Sequence, residues 1–362
     1  MDFRTASSAF GLFVLSLANL SADSVKKEQI EPKPTGVTMQ PTTVITPPVG
    51  PAVSGCCDFF MTADFIYWRT SNDADAFVFS GVGTQKTVGI AGQNNIIAPE
   101  KGSLKFPDFD FQPGFKIGAG LKFAHDGWDL YGNYTWLNPE TFKTTVSDPT
   151  GKMMPIPGDL LFDSPRCTKA TNRFKQHFNV LDLELGRNFF VSRFMALRPY
   201  FGLKSAWIRQ SNNSSYTLTT PSDSFVTGLI EKHRIKSWGL GIRGGISPVW
   251  YFMKGFGLYG NLALSGMWTY YKTSLKGFAE GIDGSKTTTT NTVSSSHTVT
   301  PVVEWGLGLT YTTTCCNDYA FTLSGGWEEQ VWINFAGNGI FGDVTNGNMT
   351  LQGLTLKAGV EF

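Results

Sequence analysis

Apolar and polar side chains alternate along this chain with a period of two, and the alternation recurs from Met61 to the last residue. Leu354, Leu356, Ala358, Val360 and Phe362 are separated by Thr355, Lys357, Gly359 and Glu361. Phe115, Ile117, Ala119, Leu121 and Phe123 are separated in the same way by Lys116, Gly118, Gly120 and Lys122. Successive side chains of a strand point to opposite faces, so each run is a strand with one oily and one polar face. The same reading predicts strands around Met61–Tyr67, Trp128–Trp136, Leu181–Leu185, Leu197–Trp207, Trp238–Ile246, Phe256–Tyr270, Val303–Thr310 and Tyr319–Glu328, ten in all. A helical stripe of useful length appears nowhere beyond the N-terminal segment.

An alternating sheet closes either over a dry core, as in a soluble sandwich or lipocalin-like barrel, or with its oily face toward lipid. Three features favour lipid. Trp68, Trp136, Trp207, Trp268, Tyr270, Tyr271 and Trp332 stand near predicted strand ends, where an interfacial girdle places aromatic residues. Charges occupy the polar face of nearly every strand. The connections alternate in length: Ala124–Gly127, Phe190–Arg193, Val249–Gly255 and Thr312–Asp318 are short, while Thr70–Pro113, Leu137–Arg173, Gln210–Lys232, Thr273–Thr300 and Asn334–Met349 are long and polar. Short periplasmic turns and long outer loops are the pattern of outer-membrane barrels. The expected fold is an all-β transmembrane antiparallel barrel of at least ten strands. Weak β patterns at Ala76–Ser80, Lys105–Phe111 and Phe142–Val146 leave room for up to about 16.

Composition narrows the class. The chain has 362 residues, only 16% of them charged, with 14% aromatic residues, 40 Gly and a net charge of +1. That balance excludes the basic field of a nucleic-acid binder and an acidic disordered scaffold. No uncharged apolar run reaches the roughly 20 residues of a transmembrane helix, so strands must hold the protein in a membrane. Residues 1–22 have the short apolar centre and small-residue cleavage site of a secretory signal. Residues 23–55, with six prolines, read as a disordered Pro/Thr-rich leader. The barrel is expected over residues 56–362.

On the polar parity the lumen is lined by Asp64, Lys116, Lys122, Asp129, Asp182, Glu184, Arg198, Lys204, Arg243, Glu304, Glu328, Lys357 and Glu361. Six cations against seven anions predict weak ion selectivity, because rings of one sign are what discriminate. The competing expectation is that these charges pair across a plugged lumen and nothing passes. Cys56 and Cys57 precede the first strand and Cys315 and Cys316 fall in a periplasmic turn, so both pairs face an oxidising compartment. Disulfides, plain thiols and a zinc site all stay open there, although CC…CC lacks the CxxC spacing of zinc ligands. Cys167, in an outer loop, is a candidate for an intermolecular bond.

Other motifs carry less. Gly239-Leu240-Gly241-Ile242-Arg243-Gly244 matches G-x-G-x-x-G, but it lies within a strand rather than at a helix start. His125, His177, His233 and His297 are scattered, and Asp108 with Asp110 reads as a solvated loop. No nucleophile has a base nearby in the pattern. An enzyme, a cofactor and a metal are therefore not expected.

Specific stretches add a resemblance. Ala63-Asp64-Phe65-Ile66-Tyr67-Trp68, Trp128–Trp136, Asn179–Arg187, Leu197–Lys204 with Ala206–Ile208, Trp238–Gly244 and the terminal Phe362 resemble the Legionella-type major outer membrane protein family and its chlamydia-related members. The resemblance spans about Cys57 to Phe362 and implies a porin-like protein of a Gram-negative outer membrane. Its relation to the disulfide-crosslinked chlamydial proteins points the cysteines toward bonds within the chain, to itself or to other envelope proteins. The function expected is passive diffusion of small hydrophilic solutes and ions. The alternative is a structural or adhesin-like surface protein, with the barrel as anchor and without significant conductance. The partners expected are outer-membrane lipid and small solutes, with no nucleic acid.

Overall fold

A computed structural model describes residues 47, 49–50, 53, 55–73, 75–81, 85–88, 96–99, 102–124, 126–156, 166–219, 225–315, 319–335 and 347–362. The proposed signal segment, most of the leader, His125 and Cys316 lie outside these residues. The ten predicted strands are the ten staves of a closed barrel: β1 (Cys57–Asn72), β2 (Gln112–Phe123), β3 (Trp128–Leu137), β4 (Cys167–Arg187), β5 (Met195–Leu218), β6 (Val226–Met253), β7 (Phe256–Gly281), β8 (Lys286–Cys315), β9 (Tyr319–Trp332) and β10 (Met349–Glu361). Each pairs antiparallel with the next, and β10 pairs with β1 from Met349↔Asn72 to Glu361↔Phe60. Closure leaves no edge in the ring, which the bilayer requires because lipid cannot hydrogen-bond an open strand.

The weak β patterns in the long connections add no stave. Phe142–Ser147 pairs with Lys169–Phe174 of β4, beyond the point where β3 leaves that strand. Val78–Ser80 pairs with Ser103–Lys105 and Met153–Pro155 at the rim. The ring stays at ten.

Two stretches expected as loops are strand instead. β5 to β8 run for 24, 28, 26 and 30 residues. At about 3.3 Å per residue and a tilt near 40°, they rise roughly 60–75 Å, well beyond an apolar band of about 25 Å. The excess, which includes most of Gln210–Lys232 and Thr273–Thr300, stands above the band as a polar extension. Outside lipid the ladder needs no oily face, so Thr and Ser runs continue the strands without alternation.

Within the band the apolar parity faces outward. Phe65, Ile117, Phe201, Ile242, Leu264, Leu307, Leu323 and Leu356 are all exposed, one on each of eight strands. A contiguous oily belt of this kind marks a membrane surface. Its aromatic members include Trp238, Trp250, Trp268, Trp305 and Trp327. The girdle expected from sequence is corrected in part. Trp268 points outward at 57% exposure, whereas Trp68 and Trp332 are buried at 0% and 1%, and Tyr271 is buried with them. Their parity belongs to the inward face, which turns apolar toward the loop end of the barrel.

The turns at the terminal end are tight. Between β2 and β3, Asp126 and Gly127 adopt φ of 59° and 71°, the left-handed conformation that short hairpins demand and that Asp and Gly tolerate.

Candidate functional site

The lumen is organised in layers along the barrel axis. All thirteen charged positions expected to line it lie on the inward parity of their strands. At the terminal end, Lys122 donates to Glu361 at 2.5 Å and to the Val49 carbonyl at 2.8 Å. The segment before β1 also meets the turn after β4, where the Phe190 N–H donates to Pro47 O at 2.8 Å. Above this mouth is a cavity of about 620 Å³, lined by Tyr131, Tyr200, Tyr259, Asn133, Asn261 and several of the charged groups.

The next layer is a lattice of ion pairs. Arg198 holds Asp129 at 2.5 Å and Glu184 at 2.9 Å. Lys204, fully buried, holds Asp182 at 2.8 Å and Glu304 at 3.0 Å. Arg243 pairs with Glu184 and reaches Glu304 at 3.0 Å. Lys116 pairs with Glu328 and stands 4.6 Å from the Trp68 ring centroid. Each cation has a carboxylate on another strand, so the lattice cross-links the wall through the lumen. Buried charges are tolerated when paired in this way, and stranding one costs about 3–5 kcal/mol.

Beyond the lattice the inward face turns mainly apolar, with Thr135, Ser237, Thr269, Thr300, Gln330 and Thr355 buried among the apolar side chains. Ile66 and Trp68 of β1, Leu137 of β3, Phe178 and Val180 of β4, Ala206 and Ile208 of β5, Ile235 of β6, Met267 and Tyr271 of β7, Val302 of β8, Trp332 of β9 and Met349 and Leu351 of β10 form one buried cluster with Phe335. Nine of the ten strands contribute to it. On the tenth, a Cβ added at Gly114 of β2 would lie 3.0 Å from both Ile66 and Leu137. The layer therefore fills the barrel cross-section where it forms. Sequence reasoning placed Trp68, Tyr271 and Trp332 of this layer in the girdle and gave the others no face, because an inward apolar residue and an interfacial one look alike in a pattern. The available signal was parity: Ile66 and Trp68 share the spacing of Asp64, not of Phe65.

A polar cluster lies above, in the extension. Asn212 donates to Asp75 Oδ1 at 3.2 Å, Asn172 donates to Ser214 at 2.9 Å and contacts Asn212, and Gln210 donates to Gln176 at 3.3 Å. Burial raises the Asp75 carboxyl from its usual 3.8 to about 7, only partly offset by the Asn212 hydrogen bond. Phe77, Val78, Met153, Cys167, Ala170, Tyr216 and Leu229 cap this region.

The cysteines separate. Cys167 begins β4 at 0% exposure rather than lying in a loop, and burial pushes its thiol up to about 12. The sulfur lies in one buried cluster with Phe77, Val78 and Met153, so the intermolecular bond expected at Cys167 requires this end of β4 to open first. Cys56 and Cys57 lie side by side at the terminal end with Sγ atoms 3.6 Å apart, and Cys315 is at the same end of β8. The glycine-rich Gly239–Gly244 run lies inside β6, where a Cβ at Gly241 would come within 2.2 Å of the Gly266 carbonyl. Among the described residues, no group of three His, Cys, Asp or Glu side chains is placed to hold a metal.

The family match rests on the same strands. The family described as the Legionella pneumophila major outer membrane protein precursor matches residues 56–362, which is the whole barrel. This chain belongs to that family. Its place is accordingly the bacterial outer membrane, which the oily belt of the barrel fits. Among curated proteins none matches. Solved structures with some likeness include the Escherichia coli outer membrane protease OmpT, at 11% identity and a TM-score of 0.41, covering 84% of this chain and 96% of that one. A major outer membrane protein from Thermus thermophilus shares 12% identity at a TM-score of 0.31, covering 85% of this chain and 100% of that one. The attachment protein Ail of Yersinia pestis shares 10% identity at a TM-score of 0.22, with coverage of 85% and 100%.

Proposed function

We propose that this outer-membrane barrel is a structural and surface-presenting protein whose lumen is closed to free diffusion. The observation that carries this reading is the apolar layer of nine strands lying across the axis above a paired charge lattice. An ion crossing a layer made mainly of aromatic and aliphatic side chains, with only scattered Thr, Ser and Gln groups between them, meets a barrier of several kcal/mol, since it loses most of its hydration there. The long β5–β8 extension supports the surface role, because it raises a Ser/Thr-rich sheet well clear of the membrane. A second reading, passive diffusion of small hydrophilic solutes with weak charge selectivity, draws on the polar cavity of about 620 Å³ and on the near balance of lumen charges. It requires the apolar layer to move.

The two readings separate in planar bilayers and in liposome swelling with graded sugars. The closed-barrel reading expects the refolded full chain to give rare or no conductance steps and no swelling above empty liposomes. Regular steps with sugar uptake would instead establish the diffusion reading.

A further inference from the structure

Eleven of the thirteen lumen charges are engaged in the ion pairs named above. The two left over, Asp64 and Lys357, are of opposite sign. They are Cα register partners on the adjacent strands β1 and β10, and both line the same cavity. Neither forms an ion pair with a described residue. Asp64 is buried, and its Oδ1 accepts no hydrogen bond. Lys357 has the Tyr131 ring 5.6 Å from its ammonium.

We propose that this end of the cavity is a binding site for a small zwitterion of the α-amino acid class, entering from the terminal end of the barrel. Asp64 would accept the ligand's ammonium and Lys357 would hold its carboxylate. A carboxylate oxygen without a hydrogen bond and an ammonium in its field but outside ion-pair distance of it, with Lys116 the register partner of Asp64 on the other side, suit a ligand carrying both charges a few ångströms apart that can bridge them. A lone anion or cation would answer only one of them. Two further groups fit the assignment. The Asn133 side-chain oxygen is also buried without a hydrogen-bond partner, so it can accept a second ammonium proton. Tyr259 lies along the inner wall over Gly308 of β8 and Gly326 of β9, where added Cβ atoms would lie 2.7 Å and 2.5 Å from it, and it supplies a hydroxyl to the same space. At about 620 Å³ the cavity lies within the common range of small-ligand sites, roughly 300–1,000 Å³. The apolar layer closes its far end, so a ligand that enters is held and not passed on.

The test is calorimetric titration of the refolded full chain in detergent with glycine, acetate and methylammonium in turn. The expected result is saturable glycine binding, about tenfold or more tighter than either single-charge fragment. Asp64→Asn and Lys357→Met should each weaken glycine binding by about tenfold while the barrel keeps its heat-shifted gel mobility. No glycine binding, or fragments that bind as well as glycine, would overturn the proposal. So would folded variants with unchanged affinity. Should either variant fail to fold, the comparison of the three ligands on the unaltered protein still decides. Binding is read without any current, so its outcome is independent of whether the barrel conducts.

Discussion

Asp75 shows how one residue can be held against its own chemistry. It follows β1, is buried beneath Phe77 and Val78, and keeps one carboxylate oxygen without a hydrogen-bond donor. Its folded-state pKa, about 7, lies above the unfolded value near 3.8. A raised pKa contributes stability that is complete below pH 3.8 and is lost as pH rises through 7. The difference is on the order of 4 kcal/mol at most. Protection factors of rim amides, corrected for base-catalysed intrinsic exchange, are therefore expected to be higher at about pH 5 than at about pH 8, and Asp75→Asn should flatten that dependence. Cys167 gives a second test at this scale. A maleimide should leave its thiol unmodified in the folded protein and label it once the chain is unfolded, because both burial and a raised pKa suppress the thiolate.

Strands are where sequence reading succeeded best, and their limits are instructive. Lipid on one face and water on the other force a strict period of two, so every stave within the bilayer announced itself. The outer halves of β5 to β8 did not, because no such contrast acts on them above the membrane. Close packing between staves is equally invisible in a pattern. At Gly202 of β5, opposite Glu184 of β4, an added Cβ would lie 1.8 Å from the Leu183 carbonyl oxygen. Gly202→Ala should therefore destabilise the barrel by about 1–3 kcal/mol as the wall shifts to admit it. Urea unfolding followed by Trp fluorescence measures that loss, and an unchanged midpoint would show that the wall is looser than described.

Closure of the ring makes the lumen a property of the whole molecule. The pairing of Arg243 with carboxylates from β4 and β8 exists only because those strands face each other across the axis. The same holds for Phe178 against Trp332, whose rings meet edge to face with centroids 5.7 Å apart. If the apolar layer is the seal, the joint substitution Trp332→Ala and Phe335→Ala should convert a silent barrel into one with measurable single-channel steps. Persistent silence in a folded double variant would place the seal elsewhere.

By itself the sequence determined the ten staves, their inward and outward parities, a lower bound on their number, and which thirteen charged residues share the enclosed face. Each follows from a local rule, since a side chain's face is decided by its own strand and by the solvent on either side. Tertiary structure alone decided what the enclosed face amounts to. Whether Lys204 meets Glu304, whether Trp68 and Trp332 point to lipid or close the axis, and whether Asp64 and Lys357 are left over all depend on distances between strands far apart in the chain. Those distances are set by barrel closure and packing, and no periodicity encodes them.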